Sequence, residues 1–352
     1  MLYVTDFWVA LLLANTSNKN DTRMVFEKIG DSHKGLVPEN CQYDHALVAG
    51  DKIWVFGRRY EDQKSFNWGH RVAYVGTYAI AFNIAENKWE DAKPFPAVST
   101  EQNLDENFFV HNGTPYMLLY AAFGSISLKS LYKWNGTSFE PVNLQGFDPI
   151  SGSEKSVNVN LEIADSQDDN IKYIITTMEH RMRVARLTFS GNGAKAEHLF
   201  DIALDDGELA LAMATSAVVT GSRLLVSYGV TGCGFRWTAE GIVACDLNSK
   251  NCEKLDINSD PKPHWGFSGA HSHALLPSGS WIHAAGDIPQ GMTGHVYDGS
   301  VWELNNLSSS PTWKKLEVEI PNKEDGEEIV VDPAHGTIYL IGKTQIGKVK
   351  FA

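Results

Sequence analysis

The stretch Ala46-Leu47-Val48-Ala49-Gly50-Asp51-Lys52-Ile53-Trp54-Val55-Phe56-Gly57 consists of two short apolar runs joined by a tight turn. Runs this short, rich in β-branched and aromatic residues and broken by Gly-Asp, read as a β-hairpin. The same pattern returns along the chain, with turns near Gly113, Asp169, Gly221, Gly279 and Gly336. The spacing is roughly 57 residues, so the chain holds six units. Strand-based self-similarity at such a period is the signature of a β-propeller. The expected fold is all-β: six four-stranded antiparallel blades around an axis.

Within each unit the first run is the innermost strand, here called A. The A strands are expected at Ala46–Ala49, Phe108–His111, Leu161–Ala164, Ser216–Thr220, His273–Leu276 and Glu328–Val331. Small and aliphatic residues dominate there because inner strands are covered on both faces. Strand B follows the turn. Strands C and D form an outer hairpin, with Tyr78–Phe82 and Trp89–Asp91 the clearest copy. The last unit lacks a strand D before the chain ends. Val25-Phe26-Glu27-Lys28-Ile29 reads like Ser138-Phe139-Glu140-Pro141-Val142, a strand D elsewhere. The N-terminal strand is therefore expected to complete the last blade, which removes an open edge.

The hairpin in which Phe82 is followed by Asn83-Ile84-Ala85-Glu86-Asn87-Lys88 and then Trp89 resembles that of the kelch-like propellers. It departs from that family in lacking a glycine doublet after strand B; Gly57, Gly229, Gly286 and Gly342 are single. The resemblance implies a binding platform more often than an enzyme, although the galactose oxidase catalytic domain resembles the same ring. Fold alone does not choose between them.

Composition sets further bounds. The chain has 352 residues, 43% of them apolar, with 30 glycines and no low-complexity linker. One propeller domain over residues 24–352 is expected, behind a leader at 1–23. Residues 7–14 have the length of a signal-peptide apolar core, though Asp6 stands where a basic residue belongs. The net charge of −13 argues against nucleic acid or an anionic membrane surface as partner. No stretch reaches the ~20 apolar residues of a membrane helix. Glycosylation sequons begin at Asn15, Asn20, Asn112, Asn135 and Asn306, which agrees with a secreted glycoprotein. Cys245 and Cys252 share the seven-residue spacing of Phe82 and Trp89, so they face each other across a hairpin, as a disulfide or as two buried thiols. Cys41 and Cys233 fall in units one and four.

The D–A and B–C connections leave one end of the ring and carry most of the unusual residues, so that loop face is the expected functional surface. Its histidines His45, His70, His180 and His273 are the candidates for acid–base work. Arg58, Arg71, Arg181 and Arg236 could fork onto carboxylates or sulfates, and Trp68, Trp237 and Trp265 could stack on sugars. Glu106 and Glu328 complete the set. His45, Asn107, Ser216, His273 and Glu328 are expected to ring the central opening. His45 and His273 are read as occupying equivalent places in units one and five. Each of these residues also has a plain alternative: the histidines bond neighbouring backbone, the arginines pair with local acids, and the tryptophans pack between blades.

No Gly-x-Ser-x-Gly elbow, phosphate-cradling glycine loop or His-Glu-x-x-His motif is present. The reading is a monomeric module that binds a protein or a glycan, with no cofactor and no metal. The alternative is a lyase or hydrolase acting on an acidic polysaccharide or ester. A metal-assisted variant would place His45, His271, His273 and Glu328 around an ion.

Overall fold

The computed structural model describes residues 25–37, 41–60, 74–96, 104–121, 127–146, 161–178, 181–203, 212–231, 237–255, 257, 263, 272–290, 294–321, 328–342 and 344–351. It is all-β apart from one 3-10 turn at His33–Gly35. After β1 (Glu27–Asp31), the first unit runs β2 (Cys41–Ala49), β3 (Lys52–Tyr60), β4 (Tyr74–Asn83) and an outer edge split into β5 (Lys88–Trp89) and β6 (Lys93–Phe95). The second is β7 (Leu104–His111), β8 (Thr114–Ala121), β9 (Ser127–Trp134) and β10 (Phe139–Gln145). The third is β11 (Leu161–Asp165), β12 (Ile171–Met178), β13 (Arg181–Ser190) and β14 (Gly193–Ala203). The fourth is β15 (Ala212–Thr220), β16 (Arg223–Thr231), β17 (Trp237–Asp246) and β18 (Cys252–Leu255). The fifth is β19 (His273–Leu275), β20 (Trp281–Gln290), β21 (Gly294–Asn305) and β22 (Thr312–Glu319). The chain ends with β23 (Glu328–Asp332), β24 (Thr337–Ile341) and β25 (Gln345–Lys350).

Within each unit, strands pair antiparallel in chain order, giving a propeller-like arrangement. Four of the sheets stand as separate blades. The fifth sheet has eight strands, because β10 pairs in parallel with β14 over Asn143–Gln145 and Gly193–Lys195 and joins the second unit to the third. The strands are longer than the apolar runs, chiefly at the end away from the A–B turns. β3, for instance, continues through Arg58 and Arg59, whose backbone bonds to β2 and β4 hold polar side chains in a sheet. Trp89–Asp91 is corrected: the pairing of β5 stops at Trp89 and resumes on β4 at Lys93.

Each first strand packs on the next, β2 on β7, β7 on β11, β11 on β15, β15 on β19, β19 on β23 and β23 back on β2. The core lies between these units rather than inside one of them. Each apolar cluster draws residues from two successive units, as Phe56 and Phe108 do between the first and second. The large residue that opens an outer strand serves this contact: Phe139 lies with its ring centroid 5.1 Å from Phe56.

The last sheet is completed by β1, whose residues Glu27–Asp31 pair antiparallel with Gln345–Lys348 of β25. Ser32 N–H adds a bond to Thr344 O, 3.1 Å long. Phe26 lies over Gly347, where a Cβ would overlap its ring and approach Glu27 O. Gly347→Val is therefore expected to lift the N-terminal strand and lower the melting temperature, with faster proteolysis before residue 30. An unchanged digestion pattern would argue against this closure.

The A–B turns at Gly50, Gly113, Gly221, Gly279 and Gly336 all have positive φ, the region open to glycine without steric cost. Cys245 and Cys252 are directly paired across β17 and β18 and form a disulfide. Phe82 and Trp89 occupy the same relation in the first unit, with centroids 5.1 Å apart. Cys41 is half-buried with a free thiol, and burial raises its pKa. Cys233 and residues 1–24 lie outside the described residues.

Candidate functional site

The strands β2, β7, β11, β15, β19 and β23 line a central cavity of about 530 Å³. Its walls are mainly aliphatic, with Leu47, Val218 and Val330 among them. Alternation within an inner strand cannot be read as inside against outside, because both faces meet neighbouring units. The result is a narrow apolar channel with polar groups at restricted positions. Of the residues expected to ring it, Asn107 and His273 line it; His45, Ser216 and Glu328 are not in its lining. Asn107 is buried, and its Nδ2 donates to Leu161 O at 2.7 Å, tying β7 to β11.

The equivalence of His45 and His273 is corrected by the register. His45 stands four residues before Ala49, which pairs with Lys52 at the turn. His273 stands three residues before Leu276, whose N–H bonds Ser280 O across a longer turn. One residue of offset turns a side chain to the other face of a strand. His45 accordingly packs its ring on Phe108 of the next unit, centroids 4.7 Å apart. His273 lines the cavity and accepts a hydrogen bond at Nδ1 from Trp281 Nε1, at 3.3 Å. That bond places the ring proton of neutral His273 on Nε2. Behind it, directly across the strand pair, His283 is fully buried, and burial holds its pKa well below the ordinary imidazole value.

Two of the charged candidates are joined to each other. Arg58 of β3 and Glu106 of β7 form an ion pair at 2.8 Å, with side chains 15% and 9% exposed. The pair bridges the first and second units. Removing one partner leaves a charge in poorly hydrated surroundings. Glu106→Ala is expected to cost about 2–3 kcal/mol, below the value for a fully buried pair because both groups retain some water contact. In a double-mutant cycle, Arg58→Met combined with Glu106→Leu should be less destabilised than the sum of those same two single changes, and additivity would refute the coupling.

Arg181 meets Asp201 at 3.1 Å, and Asp201 also receives Arg183 Nε at 3.1 Å and His198 Nε2 at 2.9 Å. Burial acts to raise the Asp201 pKa, but Arg183, His198 and Arg181 outweigh it and hold the carboxyl below its usual range. Glu328 is half-buried at the start of β23 and pairs with Ile341. Trp237 opens β17 opposite Thr231. Trp68, His70, Arg71, His180, Arg236, Trp265 and His271 lie outside the described residues, as do most of the connections that define the loop face. Among the described residues, no three histidine, cysteine or carboxylate side chains converge as a metal-binding group.

The residues that sequence reasoning passed over are Glu162, Asp332 and His335. Glu162 is the second residue of β11, 5% exposed, and lines the cavity. A charged residue inside the run Leu161–Ala164 was the available signal. At the opposite end of the channel, Asp332 is 2% exposed and sits at the end of β23. Its Oδ1 accepts from the N–H groups of Ala334 and His335, and its Oδ2 meets His335 Nδ1 at 2.8 Å. The carboxylate thereby orients the imidazole, whose side chain is 66% exposed.

No protein-family model matches the chain, and no curated protein matches it. Among solved structures, it is similar to the GH32 β-fructofuranosidase of Bombyx mori, at 11% identity and TM-score 0.45 over 98% of this chain and 85% of that one. The β-propeller domain of the Trilobed protease from Pyrococcus furiosus gives 7% identity and TM-score 0.39, over 86% and 78%. A fungal alcohol oxidase of the AA5 family, in complex with copper, gives 9% and 0.44, over 93% and 75%. Similarity this low assigns no chemistry to this chain.

Proposed function

We propose that the protein is a secreted, monomeric, kelch-like propeller of six blades, one domain over residues 24–352, that binds a protein or glycan ligand through its D–A and B–C loop face. The observation that carries the binding reading is the engagement of the described acid–base candidates. Arg58 is paired with Glu106, Arg181 with Asp201, and His273 Nδ1 with Trp281. Groups committed to one another hold a scaffold; they do not present a converging base and electrophile.

The count of six is supported by the closed cycle of inner strands and by apolar clusters shared between successive units. The eight-stranded sheet then counts as two blades with a three-residue seam. Secretion is supported by the Cys245–Cys252 disulfide, since such bonds persist in oxidising compartments. It is also supported by the exposure of the sequon residues Asn112, Asn135 and Asn306.

The test is a glycan array carrying neutral, uronic and sulfated glycans, followed by calorimetry on each hit and analysis of the glycan for cleavage. Saturable binding with the glycan recovered intact is the expected result. New reducing ends or unsaturated uronates would replace the binding reading with the lyase or hydrolase reading. An array without hits directs the assignment to a protein ligand, to be sought by cross-linking to the loop face.

A further inference from the structure

We propose that the central cavity is a second binding site, distinct from the loop face, and that it takes a small uncharged molecule with a hydrocarbon body. Its volume of about 530 Å³ falls in the range of pockets that enclose small ligands. Every one of the inner strands β2, β7, β11, β15, β19 and β23 contributes to its wall. Val48, Val110, Ile163 and Leu275 line it and are only half-buried, although they lie on innermost strands. The apolar surface they leave uncovered borders the cavity. An aliphatic guest that displaces water from such surface gains free energy in proportion to the area covered.

The polar groups of the lining decide the charge of the ligand, because they are already engaged within the protein. Asp332 accepts from the N–H groups of Ala334 and His335 and meets His335 Nδ1 at 2.8 Å. Asp165 is met by Lys172 at 2.6 Å. Asn107 donates to Leu161 O. Glu162 and His273 have partners as well, Trp281 Nε1 being one for His273. Engaged groups do not replace the hydration shell that a charged ligand gives up on entry. An ammonium and a carboxylate are disfavoured alike, whereas a hydrocarbon body sheds its water at a gain. Gln167 and His335 are exposed members of the lining, so they stand at a wet mouth that accommodates a single hydroxyl.

The test titrates n-butanol, n-hexanol, n-octanol, n-hexylammonium and n-hexanoate into the full chain by calorimetry. Affinity along the three alcohols is expected to rise about fourfold per methylene, as for a chain transferred from water to an apolar wall. Hexanol is expected to bind at least about tenfold more tightly than either hexyl ion, which must shed part of its hydration. Val48→Phe and Val110→Phe add bulk to the lining from two different strands. Each, once shown to keep the parent melting profile, should weaken hexanol by about tenfold or more, because the added ring competes for the same space. Glu197→Gln, on the outer strand β14, should leave binding unchanged. Placement is read independently of any variant with a diazirine-bearing analogue of hexanol. On irradiation it should label peptides of the inner strands, and excess hexanol should suppress that labelling. The proposal would be overturned by an ion bound as tightly as hexanol, by affinity that does not rise with chain length, by labelling confined to outer strands, or by hexanol binding that persists in both folded variants. Absence of binding by every probe would overturn it too. None of these results bears on the loop-face reading, which the glycan array tests separately.

Discussion

Phe56→Ala is expected to destabilise the protein by about 4 kcal/mol, the range for removing a buried aromatic ring that its surroundings cannot refill. Phe56 is 1% exposed. Its ring stacks on Phe108 at 5.0 Å and meets the edges of Trp134 and Phe95 at 5.4 and 6.5 Å. Phe139 closes the group at 5.1 Å. The partners come from both the first and second units, so the ring acts as the pin between them. A cavity there removes aromatic pair contacts as well as transfer free energy. The urea midpoint should fall with little change in slope, as for a loss of packing without a change of denatured state. A loss below about 1 kcal/mol would mean that the cluster closes over the gap, and that this interface is softer than its geometry implies.

Acidification is expected to destabilise the protein in the range where histidines titrate, and His33 should account for much of the change. His33 lies in the 3-10 turn after β1, fully buried, with its ring 4.7 Å from Trp89. Burial, with a smaller contribution from Lys34, lowers its pKa to about 3. The unfolded chain binds a proton at His33 near pH 6.5, while the folded chain refuses it until about pH 3. Stability is therefore retained above pH 6.5 and lost as the pH falls from there toward 3. At pH 4 the loss from this group is about 3 kcal/mol. His283 acts in the same direction, because its burial also keeps the folded ring neutral. Unfolding of His33→Leu and of the parent should be compared from pH 7 to 4. Between pH 7 and 4 the parent should lose about 3 kcal/mol relative to His33→Leu, which separates the histidine from carboxylates such as Asp201 that titrate in both chains. Parallel curves would show that His33 takes up its proton in the folded state.

Much of the scaffold was legible because its determinants are local. Gly50, Gly113, Gly221, Gly279 and Gly336 mark hairpins whose backbone needs positive φ, and sequence displays that need directly. The closing strand was legible because a missing outer strand at one end matched a spare one at the other. The outer hairpin placed Cys245 opposite Cys252 for the same reason that it placed Phe82 opposite Trp89, a fixed turn length. The candidate site was far less legible. Arg58 and Glu106 are 48 positions apart, and nothing in either neighbourhood indicates that they share an ion pair. Glu162 was passed over because a single acid inside an apolar run has no partner along the chain to give it meaning.

The sequence by itself determined the all-β class, the period, the turns, the strand that pairs at the termini and the apposition of Cys245 and Cys252, while the disulfide between them came from the structure. Each of these depends on the conformational preferences of a few neighbouring residues or on a repeat that can be counted. Only the tertiary structure decided which side chains share a space. The extra turn residue that separates His273 from the position of His45 reverses the face it presents, and that is a matter of register between strands. The enclosure of Glu162 and Asp332 in one cavity exists only once the inner strands of all the units stand around a common axis. Distances across a ring are set by packing between blades, and packing is a property of the assembled sheets rather than of any segment within them.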